Sequence, residues 1–199
     1  MGYSINDKLN FGKHSFDLQV EAVGNKVIGE IISNGKVLKK VVKEIDGDNE
    51  KEAVSEVFAQ LKELLLSRIK ERAKKQAVSL RDKLSEFFEV EEEQVKGFLL
   101  VVPSLKEPVK CSKGEMTSNL EDWLSALEKD YFSRFSISPE VISLHLKRNN
   151  EDVWVLLVWI KEEDTKVVFA VSNVKLSLVR RKLKADNLKQ IVESILQSL

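Results

Sequence analysis

The chain reads as an α+β protein: two antiparallel β-meanders, each covered by helices, joined by a long central helix or helix pair. Three observations predict this. Short runs alternate apolar and polar residues and are separated by turn signals. Apolar residues from Ala53 to Leu65 then recur at helical spacing. Finally "VWVLLVWI", Val153 to Ile160, is apolar throughout yet bounded by Glu151, Asp152, Lys161 and Glu162.

The first meander is expected to begin where Phe16, Leu18, Val20 and Ala22 alternate with Asp17, Gln19 and Glu21. "VGNK" turns the chain into a second strand around Val27 to Ile32, and Asn34-Gly35 signals a two-residue hairpin whose positions both tolerate positive φ. A third strand is predicted from Val37 to Ile45. Asp48 or Asn49 can cap the helix that follows, which buries Ala53, Val54, Val57, Phe58, Leu61, Leu64 and Leu65. The pattern thins through "SRIKERAKKQ" and resumes at Leu80, Leu84, Phe87 and Phe88, so residues 50–95 form either one helix or two, the second capped by Ser79 with Asp82. "GFLLVVP" is a short buried strand ending by Pro103.

The second half is expected to open with a helix capped by Ser118 and Glu121 and lined by Leu120, Trp123, Leu124, Leu127 and Tyr131. Strands follow at Ile142–Leu146, Val153–Ile160, Val167–Val171 and Val174–Leu178. A last helix from near Asp186 buries Leu188, Ile191, Val192, Ile195 and Leu199. The expected division is 1–95 and 96–199, unless the halves form one continuous domain. "VWVLLVWI" is too short for a membrane helix, which needs about 20 apolar residues. It reads as an interior strand whose second face needs cover from a helix, the other half or a partner chain.

Composition narrows the function classes. Of 199 residues, 43% are hydrophobic and 32% charged, with lysines and arginines balancing acids at a formal net charge of zero. There is no global pull toward nucleic acid or membrane, and the lysine/glutamate-rich surface resembles that of thermophile proteins. One cysteine excludes an internal disulfide framework and a cysteine-cluster zinc site, and it fits a reducing cytoplasm. "MGYSINDKLN" lacks the apolar core of a secretory signal, and Asn6 stands where myristoylation wants Ser or Thr. A cytoplasmic location is expected.

No catalytic constellation, metal site or cofactor is predicted. His14 and His145 have no zinc-ligand spacing. Gly12-Lys13 is not a phosphate loop, because Asp7 replaces its first glycine and His14 its magnesium-binding hydroxyl. Cys111 lies between Lys110 and Lys113, whose charges would favour the reactive thiolate, in the aperiodic stretch 103–117; with no base placed beside it, an incidental loop cysteine is the favoured reading. Lys175, Arg180, Arg181, Lys182 and Lys184 form a basic run with no acid before Asp186. Set beside Trp154 or Trp159, these residues would make a groove for single-stranded nucleic acid; alone, they would protect a sheet edge from aggregation.

The expectation is therefore a non-catalytic interaction or assembly protein that self-associates or takes a protein partner, with Trp154 and Trp159 as candidate contacts. The alternative is a single-strand nucleic-acid-binding protein using the basic run. An enzyme built from Cys111 and a distant histidine ranks last, because nothing in the sequence places a base near the thiol.

Overall fold

The computed structural model describes residues 2–45, 49–111, 116–132, 140–148, 150–174 and 185–197. The fold is α+β: two antiparallel sheets, of four and five strands, with a long helix between them in the chain. Packing divides the chain into two compact units, Met1–Lys70 and Glu71–Leu199.

The first unit is a meander in the order β1 (Ser4–Phe11), β2 (His14–Val23), β3 (Lys26–Ser33) and β4 (Lys36–Glu44). Its hairpins turn where the backbone enters positive φ, at Gly12, at Gly24 and at the Asn34-Gly35 pair, with φ of 51° and 73° at that pair. Two consecutive positive φ values are the type I′ geometry whose twist matches the flanking strands. Phe16, Leu18, Val20, Val27 and Ile31 share one face and are buried. That face meets helix α1 (Glu50–Phe88) through Ala53, Val54, Val57, Leu61 and Leu65. The approach is close: a Cβ built on Gly29 would lie 2.7 Å from both Leu61 Cδ1 and Val57 Cγ1. Strand β1 was not expected. Its inward positions are Ile5, Asp7, Leu9 and Phe11, and Asp7 is held by Lys62 Nζ of α1 at 2.7 Å. Leu64, expected on the buried stripe, is exposed.

Helix α1 runs unbroken for 39 residues, so residues 50–88 are one helix and Ser79 caps nothing. The stretch where the pattern thins, residues 67–76, does carry a buried stripe, Ile69, Ala73 and Gln76, which Ala77 and Leu80 continue. Two alanines and a glutamine leave little hydrophobic trace in the sequence, and they suit close packing where a larger side chain would not fit.

The second unit is a five-stranded antiparallel sheet in the order β6-β5-β9-β8-β7. Its strands are β5 (Val95–Val101), β6 (Val109–Lys110), β7 (Val141–Arg148), β8 (Glu151–Ile160) and β9 (Thr165–Ser172). Helix α2 (Met116–Ala126), continued by a π-helical turn at Leu127–Phe132, covers one face. Leu120 and Leu124 pack there on Leu99, Val153, Val155, Leu157, Val168 and Ala170. Because α2 starts at Met116, Ser118 lies inside the helix and is not its N-cap. On the opposite face Phe169 meets Phe98 and, at 6.2 Å between ring centroids, Phe88 from the end of α1. Helix α3 (Ala185–Gln197) packs along β7 and β8, and Gln76 Nε2 of α1 donates to its Leu196 carbonyl. The fourth expected strand of this meander, beyond Val174, falls outside the described residues.

"VWVLLVWI" is thus an interior strand with helices of its own unit against both sides of its sheet, and Val153 to Val158 are all buried. Fully burying side chains of this size contributes about 1.5–3 kcal/mol each. The apolar run is explained by packing within the chain.

Candidate interaction surface

Strand β4 is an outer strand of the first sheet, with β3 as its one strand neighbour among the described residues. Its sequence, "KVLKKVVKE", does not alternate cleanly, and the pairing shows why. Ile31 lies opposite Lys39 but Ile32 lies opposite Val37, so Leu38 is an inserted bulge residue. The insertion shifts the parity of the strand. Lys39, Val41 and Lys43 fall on the face that meets α1, where Lys43 pairs with Glu56. Val37, Lys40, Val42 and Glu44 lie on the outer face, opposite Ile32, Glu30, Ile28 and Lys26 of β3.

Val37 and Val42 on that outer face are 53% and 51% exposed, and Leu38 at the bulge is 52% exposed. Single exposed apolar residues are ordinary, whereas several on one edge strand make a candidate contact surface. Two ion pairs flank them: Lys40 Nζ to Glu30 Oε1 at 2.7 Å and Lys26 Nζ to Glu44 Oε1 at 4.0 Å.

The backbone of β4 has a defined polarity. The Ile45 N–H donates to the Asn25 carbonyl at 2.9 Å, so Ile45 bonds toward β3. Antiparallel pairing alternates along a strand, so Lys43, Val41 and Lys39 bond toward β3 as well. The N–H and C=O groups of Glu44, Val42 and Lys40 point the other way, to the open edge. Apolar and charged side chains therefore coincide at residues 40 to 44 with backbone groups that have no strand partner among the described residues.

The residues singled out from the sequence are placed as follows. Trp154 is 8% exposed and lies in the interior of the second unit, its ring stacked on His145 at 4.5 Å. His145 Nε2 lies 3.1 Å from Asp152 Oδ1. Trp159 is partly buried; its Nε1 donates to Asp164 Oδ1 at 3.0 Å, and Lys166 Nζ sits 4.9 Å from the ring centroid. Lys166 Nζ also reaches Glu128 Oε1 at 2.9 Å and Asp164 Oδ1 at 3.1 Å, which ties the π-helical turn after α2 to the β8–β9 connection. Both indoles are thus engaged inside their own unit. Lys175, Arg180, Arg181, Lys182 and Lys184 lie outside the described residues, as does Lys113.

Cys111 is partly buried at the end of β6, with its carbonyl accepting from Arg81 Nη1 at 3.3 Å. Burial pushes its thiol above the ordinary value; Arg81 pulls it down and Asp82 raises it again, for a net rise. Desolvation of the anion here outweighs the positive charge of Arg81. Among the described residues no group of three or more His, Cys, Asp or Glu side chains is placed to hold a metal ion, and no helix is long and apolar enough to cross a membrane. Compared with protein families, with curated proteins and with solved structures, the chain matches none.

The sequence reading found β4 but not its place at the edge of the sheet. A signal was present: the paired apolar residues Val37-Leu38 and Val41-Val42 break the alternation of a half-buried strand. Which strand stands at the edge depends on long-range pairing, which local pattern does not reveal.

Proposed function

We propose that this chain is a non-catalytic interaction or assembly protein that self-associates through its first unit. The observation that carries the reading is the open edge of β4, where Val37, Leu38 and Val42 are each more than half exposed. Exposed strand edges pair readily with other strands, so proteins that remain monomeric shorten, cover or charge them. β4 is nine residues long, and of its four lysines Lys40 and Lys43 are already paired within the unit. Light scattering coupled to size-exclusion chromatography tests the reading. A dimer or larger species is expected, and a monomer at every concentration up to about the millimolar range, where even weak complexes form, refutes it.

A second reading rests on the charge run itself. Five cations from Lys175 to Lys184 without an intervening acid suit the phosphates of single-stranded nucleic acid. Neutralising phosphates releases counterions, so binding must fall steeply with added salt. Fluorescence anisotropy with a labelled oligonucleotide is expected to rise at low salt and collapse as salt increases; no rise at low salt removes this reading.

A further inference from the structure

We propose that the self-association partner of β4 is β4 of a second copy, paired antiparallel about a two-fold axis at Val42, so that two four-stranded sheets become one of eight strands. This rests on the self-association reading and specifies its geometry.

The register follows from three independent features of the strand. The first is hydrogen bonding. The edge-facing N–H and C=O groups belong to Lys40, Val42 and Glu44, so a neighbouring antiparallel strand must place its own edge-facing residues opposite these. A two-fold axis at Val42 does so: Val42 lies opposite Val42 of the copy, and Lys40 opposite Glu44 in both directions. The second is charge. Each outer-face row then alternates in sign across the junction, with Glu30, Lys40, the copy's Glu44 and the copy's Lys26 in line. Opposite charges directly across a ladder stabilise it and like charges destabilise it. An axis at Lys40 would also satisfy the backbone, but it would set Lys40 against Lys40. The third is apolar cover. In the row between the two charged rows, Ile28 and Val42 of one copy meet Val42 and Ile28 of the other, which covers a Val42 side chain otherwise 51% exposed.

The Leu38 bulge gives this pairing an end. Beyond Lys39 the inserted residue changes which groups face the edge, so the regular ladder is confined to residues 39–45. The same bulge works against an extended ladder of copies, because pairing about the axis uses the regular part of β4 in both partners.

The experiment uses the full chain and measures dimer dissociation by light scattering over a concentration series, with far-UV circular dichroism to verify folding. Lys40→Glu sets Glu against Glu, and Glu44→Lys sets Lys against Lys. Each is expected to weaken the dimer by roughly tenfold or more, because two symmetric ion pairs become repulsive. An equimolar mixture of the two variants is expected to form a heterodimer, since both carboxylates of the first variant then face ammonium groups of the second. The double variant Lys40→Glu/Glu44→Lys is expected to recover self-association. Val42→Pro removes an N–H that points away from β3, so it is expected to abolish the dimer while sparing the sheet.

A second measurement holds if any of these variants folds poorly. With Cys111→Ser, Val42→Cys is expected to cross-link to its copy under oxidation, since hydrogen-bonded antiparallel partners stand about 5.5 Å apart at Cα, within disulfide reach. A wild-type dimer that ignores both charge reversals, and whose Val42→Cys form does not cross-link, overturns this register and leaves self-association standing. A wild-type monomer overturns both.

Discussion

Gly29 is the point at which the first sheet and α1 come closest, and replacing it with alanine tests that packing directly. The added methyl would stand 2.7 Å from Leu61 Cδ1 and from Val57 Cγ1, and 3.4 Å from Val20 Cγ2. Ordinary carbon contacts lie near 3.5–4.0 Å, so two of the three neighbours must move by about 1 Å. Leu61 can swing the end of its side chain. Val57 cannot do so cheaply, because a β-branched residue in a helix has one strongly preferred rotamer. Overpacking of this kind costs about 1–3 kcal/mol. Restricting the unfolded chain returns about 0.4–1 kcal/mol, so the net expectation is a loss of about 1–2 kcal/mol. Urea unfolding followed by far-UV circular dichroism should show an earlier transition with an unchanged slope. All three tryptophans, Trp123, Trp154 and Trp159, lie in the second unit, so the transition reported by their emission should move less. Adding Val57→Ala should restore part of the loss, because the two positions share one contact and their effects are not additive. Unchanged or increased stability of Gly29→Ala would refute the claim that the helix is seated on the backbone of β3.

Further outcomes follow from the second unit and from the edge. Leu157→Ala, in the interior of β8, should cost about 2–5 kcal/mol by chemical denaturation, whereas Leu38→Ala on the exposed bulge should change monomer stability by under about 0.5 kcal/mol. Cys111 should alkylate more slowly than a free cysteine at neutral pH, as read by mass spectrometry, because burial disfavours its thiolate; faster labelling would contradict that placement. For Lys166, burial works against the ammonium, but hydrogen bonds to Glu128 and Asp164 outweigh it and hold its pKa above the usual lysine value. A folded pKa above the unfolded one gives a contribution that is complete below about pH 10.4 and is lost as pH rises through the higher folded value. Wild-type stability should therefore fall with pH in that alkaline window by an increment missing from Lys166→Met, and identical slopes for the two would refute the cage.

How much of this was legible in the sequence depended on whether local pattern and tertiary role agreed. Asn34-Gly35 was readable because the turn's demand for positive φ is met by the residues themselves. "VWVLLVWI" was readable as an interior strand because it buries residues on both faces of its sheet. Strand β1 was hidden by Asp7, an inward-facing charge whose partner Lys62 is distant in sequence, so its alternation looked broken. The middle of α1 was hidden by small residues, Ala73 and Ala77, which pack tightly but add little hydrophobic signal. At Cys111 the neighbouring lysines are visible in sequence, whereas the burial that raises its thiol is not. The β4 edge was only half legible: its lysines and valines could be read, but the bulge that sorts them between faces arises from the pairing of Ile31 and Ile32 with β3.

The continuity of α1 across the division at Lys70 and Glu71 constrains how this protein can be taken apart. A cut there would create two new helix termini in mid-helix, and each would strip partners from up to four backbone groups. No capping serine, threonine, aspartate or asparagine stands beside the cut in "SRIKERAKK" except Ser67, and no glycine is present to close a C-terminus. A fragment carrying either half would hold a helix of about 20 residues with one raw end, and that end should fray. The two units are therefore poor cassettes. A library that exchanges one of them for a foreign domain should succeed more often when the crossover keeps all of Glu50–Phe88 with one parent than when it splits the helix at its midpoint.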